Sequence, residues 1–95
     1  MENTTQKPDL SVVVPIYNEE GNVRELHRKI VEACQALGKT FEVVFIDDGS
    51  TDKTNEICRT LSPLKLIVQR KNFGQTAAFD AGFKNSTGEI VITMD

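Results

Sequence analysis

The chain has 95 residues, 39% of them apolar and 26% charged, with a net charge of −3, which suits one small soluble domain around a single core. The mildly acidic balance argues against a nucleic-acid binder, which would carry a basic face, and no stretch approaches the roughly 18 apolar residues of a membrane span. Two cysteines, Cys34 and Cys58, make neither a disulfide framework nor a metal-ligand spacing, and both fall on apolar helix faces as buried thiols.

Residues 1–9 are polar and read as a disordered tail; no basic-then-apolar leader opens the chain, so it reads as cytoplasmic. Residues 10–14 (LSVVV) form a short continuous apolar run ended by Pro15, the pattern of a strand buried on both faces. A helix over 23–37 follows, with Val23, Leu26, Ile30, Val31, Cys34 and Leu37 recurring at helical spacing. Asn22 with Glu25 three residues on predicts a capping box, and Gly38 a stop. Residues 41–46 are a second buried strand. A helix over 53–61 is broken by Ser62 and Pro63. Residues 64–69 read as a third strand, 75–84 as a helix whose Ala77, Ala78, Ala81 and Gly82 allow close packing, and 89–94 as a fourth buried strand ending on Asp95. His27, alone in its helix, is read as structural or exposed. The alternation predicts an α/β fold: a Rossmann-like, mostly parallel sheet with helices on both faces, joined by right-handed crossovers.

In open parallel sheets, ligands bind beyond the carboxyl ends of the strands, and the polar residues of this chain collect there. Tyr17 offers a flat ring for stacking on a base. Asp47 or Asp48 can accept hydrogen bonds from a base or ribose, and Gly49 permits a tight turn beside a ligand. Arg70 and Lys71 are placed to neutralise phosphate. A carboxylate at Asp95 suits Mg²⁺ or Mn²⁺, hard cations that favour oxygen ligands. Each piece has a plainer reading: Asp48-Gly49 is a common turn pair, Thr51 or Asp52 can cap a helix, and Arg70-Lys71 can be a solvated loop pair. Their convergence on one rim is what points to a site.

Four segments, 11–20 (SVVVPIYNEE), 44–52 (VFIDDGSTD), 72–75 (NFGQ) and 88–95 (GEIVITMD), together resemble the inverting family 2 glycosyltransferases of the GT-A fold, especially the dolichol-phosphate mannose synthase and polyprenyl-phosphate glycosyltransferase branch. The resemblance implies a donor-binding unit over 10–95, with Pro15, Tyr17 and Glu19 as nucleoside contacts and Ile46 and Asp48 as a second contact pair. It implies that Asp47 bonds the base and that Asp95 is the first carboxylate of an Asp-x-Asp metal signature. The implied donor is a UDP- or GDP-linked sugar, the cofactor a divalent Mg or Mn ion, and the acceptor a lipid phosphate at the cytoplasmic face of the membrane. The acceptor half and the catalytic base would then lie beyond residue 95, leaving this chain inactive alone. A rival expectation is a non-catalytic nucleotide-binding or self-associating unit, a homo-oligomer formed through the edge of the last strand.

Overall fold

The computed structural model describes residues 7–69 and 75–94, and within them strand and helix alternate as β1 (Leu10–Ile16), α1 (Val23–Leu37), β2 (Phe41–Asp47), α2 (Thr54–Cys58), β3 (Lys65–Val68), α3 (Gln75–Asn85) and β4 (Ile90–Thr93). All pairings are parallel and the sheet order is β3-β2-β1-β4. The chain winds outward from β1 through β2 to β3, then crosses back to place β4 on the far side of β1. The direction of winding therefore reverses between β1 and β4, the place where open α/β sheets form their ligand crevice.

The side-chain period of two divides β1 and β2 between two cores. Val12, Val14, Ile16, Val43 and Phe45 pack with Val23, Ile30, Cys34 and Cys58 from α1 and α2. Val13, Val44 and Ile46 face the other way, onto Ala78 of α3. Helices thus cover both faces, as the apolar runs of β1 and β2 require. Gly82 brings α3 down onto the sheet: a Cβ there would stand 2.2 Å from Val13 Cγ1 and 2.8 Å from Ile46 Cδ1.

His27 is a core residue of α1. Its ring meets Phe45 edge-on at 6.0 Å, and Nε2–H donates to the Pro63 carbonyl at 2.8 Å. Both thiols are buried. Burial raises the Cys34 pKa, while burial and the charge of Asp47 push Cys58 up to about 11, so neither is a ready nucleophile.

Several expectations need correction. β1 does not stop at Pro15 but runs to Ile16. Val13 O accepts from Met94 N on the β4 side, so Pro15, two residues on, turns its missing N–H the same way, and the β1–β4 ladder ends there while β1 goes on pairing with β2. Pro8 and Asp9 are not a loose tail: Asp9 N–H donates to Thr40 O at 3.1 Å, Thr40 N–H returns to Asp9 Oδ2, and Glu89 N–H reaches Pro8 O. Asn22 makes no side-chain cap, although Gly38 ends α1 in the left-handed conformation as expected. The N–H groups of Asn22 and Val23 go instead to Glu19 O, and Glu25 is engaged by Arg28. α2 ends at Cys58 because Thr60 turns its hydroxyl back onto Ile57 O at 2.6 Å, an alternative to helix that Thr offers readily. Leu37 is exposed rather than inward, and β4 is not a buried strand: all of Ile90–Thr93 is exposed. It lies at the sheet edge beside β1, outside the area that α1 and α3 cover.

Candidate functional site

The loops after β1 and β2 meet at the carboxyl edge of the sheet. Asp48 N–H donates to Ile16 O at 3.0 Å, carrying the β1–β2 ladder one step past β2, and Gln69 N–H donates to Asp47 O at 2.9 Å, bringing the end of β3 to the same edge. Tyr17 follows Ile16 and stands 43% exposed at the mouth. In the β2 loop, Gly49 turns with φ 83°, in the left-handed region that glycine enters readily.

The two loops are tied by a run of reciprocal bonds. The backbone N–H groups of Asn18, Glu19 and Glu20 donate in succession to Ser50 Oγ at 2.8 Å, Thr54 Oγ1 at 2.7 Å and Asp52 Oδ2 at 3.2 Å. In return Thr51 N–H donates to Asn18 Oδ1 at 2.8 Å and Lys53 N–H to Glu20 Oε1 at 2.9 Å. Asp52 also accepts from the N–H and hydroxyl of Thr54. Desolvation raises the Asp52 carboxyl, but these hydrogen bonds outweigh it and hold the group below its usual range. The first loop therefore spends these amides on the protein. A diphosphate placed against them would have to displace side-chain acceptors, so the α1 end of the crevice suits a neutral moiety better than an anion.

The sequence-predicted residues fall into distinct settings. Pro15 and Ile46 pair across β1 and β2, and Ile46 is fully buried in the α3-side core. Asp47 is 1% exposed, with Oδ1 accepting from Ser50 N–H and Oδ2 from Asn55 Nδ2, so its carboxylate braces the turn. Asp48 is also buried, at 6%. Glu19 is half-buried, and its Oε1 accepts from Asn22 Nδ2 at 3.4 Å. Arg70, Lys71, Asn72, Phe73, Gly74 and Asp95 lie outside the described residues. Among the described residues no group of three or more His, Cys, Asp or Glu is arranged to hold a metal ion, so a cation has no complete protein ligand set there.

Sequence reasoning missed Asn18, Thr54 and Asn55 as the residues that join the loops. Thr54 is fully buried, and Asn18 has φ 51°. An Asn flanked by Tyr and Glu at a strand end was the available signal, since Asn is the residue other than glycine that best tolerates this region. Gln69 was also missed; its Oε1 is buried without a hydrogen-bond partner. A cavity of about 710 Å³ lies elsewhere, between α1 and α2, lined by Arg24, His27, Arg28, Ile57 and Leu61 among others. Arg28 there is committed to Glu25 and Glu32, which leaves that groove poorly suited to phosphate.

Comparison with known proteins agrees with the fold. The chain is 42% identical, over 90% of its length, to an undecaprenyl-phosphate 4-deoxy-4-formamido-L-arabinose transferase of Pseudomonas paraeruginosa, and 40% identical to the protein of that name from Edwardsiella ictaluri. It spans 27% and 28% of the length of those relatives. Among solved structures it is similar to a mannosyltransferase from Pyrobaculum calidifontis in complex with GDP-Man and Mn²⁺, at a TM-score of 0.75 and 31% identity, over 92% of this chain and 27% of that one. Residues 11–95 match the model of Glycosyl transferase family 2, and the chain belongs to that family.

Proposed function

We propose that this chain forms the nucleotide-sugar-binding rim of a glycosyltransferase, residues 10–95 serving as its donor-binding part and a polyprenyl phosphate as its acceptor. The observation that carries this reading is the meeting of the β1 and β2 loops at the carboxyl edge of the sheet, next to the β1–β4 switch point, with the exposed Tyr17 directly after β1 and the Asp48-Gly49 turn directly after β2. It is supported by the family, by relatives whose names specify an undecaprenyl phosphate, and by a structural neighbour that holds a nucleoside diphosphate sugar.

In this reading Tyr17 stacks on the base, Asp48 accepts from base or ribose, and Pro15, Glu19 and Ile46 shape the nucleoside cleft. Asp47 acts from behind, holding the turn that carries Asp48. Because the first loop's amides are already bonded, the diphosphate points away from α1, and Lys71 and Asp95 are the residues of this chain proposed to meet it. A bound Mg²⁺ or Mn²⁺, with Asp95 as its ligand on this chain, would draw charge off the departing diphosphate. The reaction is a direct, inverting displacement at the anomeric carbon. A phosphate acceptor is already anionic at neutral pH, so it needs less help from a base than an alcohol does. Titration calorimetry with UDP and GDP tests the reading: heat with one of them supports it, and no heat with either from a folded sample refutes it.

The exposed apolar strand β4 favours a second reading, in which the chain self-associates through that edge. A sedimentation series over concentration separates the two, since only the second predicts a mass that rises with concentration.

A further inference from the structure

We infer that Asn18 is a positioning residue: it clips the β1 loop to the β2 loop and so presets Tyr17 and Glu19 for the nucleoside. This rests on the donor-binding reading above but concerns a residue outside the nucleoside contacts. Asn18 uses both its backbone and its side chain on the opposite loop. Its N–H donates to Ser50 Oγ at 2.8 Å, and its Oδ1 accepts from Thr51 N–H at 2.8 Å and faces Thr51 Oγ1 at 3.4 Å. Its φ is 51°, a conformation that disfavours most side chains and that glycine would adopt more cheaply. Glycine, however, would offer Thr51 no acceptor.

The clip has a direction. Asn18 sits between the exposed Tyr17 and Glu19, whose own N–H is held by the buried Thr54. On the partner side, Ser50 and Thr51 directly follow Asp48-Gly49, and Ser50 N–H is fixed by Asp47. Asn18 thus couples the ring on one side of the cleft to the turn on the other. Holding both in place before the ligand arrives lowers the ordering cost of binding.

The chain supplies its own reporter, because Tyr17 is its one tyrosine and it has no tryptophan. Tyrosine fluorescence therefore reads this loop alone. Asn18→Gly keeps the backbone conformation and deletes the acceptor, while Asn18→Asp keeps an acceptor oxygen. With ligand absent, Asn18→Gly is expected to raise acrylamide quenching of Tyr17 and lower its anisotropy, and Asn18→Asp to return both toward wild type. Nucleoside diphosphate binding should weaken about three- to tenfold in Asn18→Gly, the range that corresponds to one or two net neutral hydrogen bonds, and recover in Asn18→Asp. Unchanged Tyr17 quenching in a folded Asn18→Gly chain overturns the inference. Should that variant fail to fold, Ser50→Ala, which removes the other half of the clip, decides by the same readout. Wild-type chain that binds no nucleotide refutes the donor-binding reading, while the ligand-free Tyr17 measurement still decides the clip.

Discussion

Asn55, in the first turn of α2, donates its side-chain N–H to Asp47 Oδ2 at 3.2 Å, while the carboxylate's other oxygen takes Ser50 N–H at 2.9 Å. The adjacent acids Asp47 and Asp48 thereby acquire different work. Asp47→Ala should leave two donors unpaired near the core and cost about 2–4 kcal/mol of stability, read from urea unfolding. Asp48→Ala should keep the fold and weaken nucleoside diphosphate binding by about 1.5–3 kcal/mol, the worth of a hydrogen bond to a charged acceptor. Calorimetry and denaturation on both variants check the pair; a reversal of the two phenotypes would show the assignment to be wrong.

Glu42 holds the turn that leads into β4. Its Oε2 accepts from Ser11 Oγ at 2.5 Å and Thr87 N–H at 2.6 Å, and Lys65 Nζ lies 3.3 Å from Oε1. Burial pushes its carboxyl up, but the bonds from Ser11, Thr87 and Lys65 outweigh burial and hold it below the ordinary carboxylate range. A depressed folded pKa contributes stability above the unfolded value, near 4.3, and loses it as pH falls through the folded value. Glu42→Gln should therefore destabilise the chain at pH 7 by about 1.5–3 kcal/mol. The gap from wild type should stay flat down to about pH 5 and close below pH 4. Unfolding titrations from pH 3 to 7 on both chains measure it.

Gly88 and Gly82 both sit where a Cβ does not fit, but against different neighbours. At Gly88 the added atom would meet backbone, 2.6 Å from Ser11 N and 2.7 Å from Leu10 C, whereas at Gly82 it meets side-chain atoms. Backbone in the central strand cannot retract; at Gly82 the Ile46 tip can, but Val13 Cγ1, 2.2 Å away on a fully buried β-branched side chain, has little room to turn. Gly88→Ala and Gly82→Ala should therefore each cost in or above the range of about 1–3 kcal/mol for overpacking. Gly88→Ala should also speed amide exchange in β4 selectively, because its clash falls where the β4 turn approaches Ser11. Hydrogen-exchange mass spectrometry reads that difference.

Much of this architecture was legible from residue pattern because the pattern is physically forced. The unbroken run of Val12, Val13 and Val14 has two faces to cover, so helices on both sides followed, and Gly38 stopped α1 where a left-handed residue was needed. The small face of α3 foretold its approach through Ala78 and Gly82. Exposure of β4 was illegible, since Ile90, Val91 and Ile92 read the same whether or not another layer covers them. So was the joining of the loops: the bonds from residues 18–20 to 50–54 span more than thirty positions, and each residue in them is equally at home as a local cap. Asn22 illustrates the converse, a sound local cap signal left unused as its side chain donates to Glu19 Oε1 instead.

The central claim is that a nucleoside diphosphate binds at the rim between the β1 and β2 loops. The most direct measurement is amide chemical-shift mapping on the ¹⁵N-labelled chain during titration with GDP and UDP. The account predicts saturable shifts concentrated on residues 16–19 and 46–51, with those of Asn18 and Gly49 among the largest. Shifts confined to the α1–α2 groove around Arg24, Arg28 and Leu61, or none with either nucleotide, would contradict it.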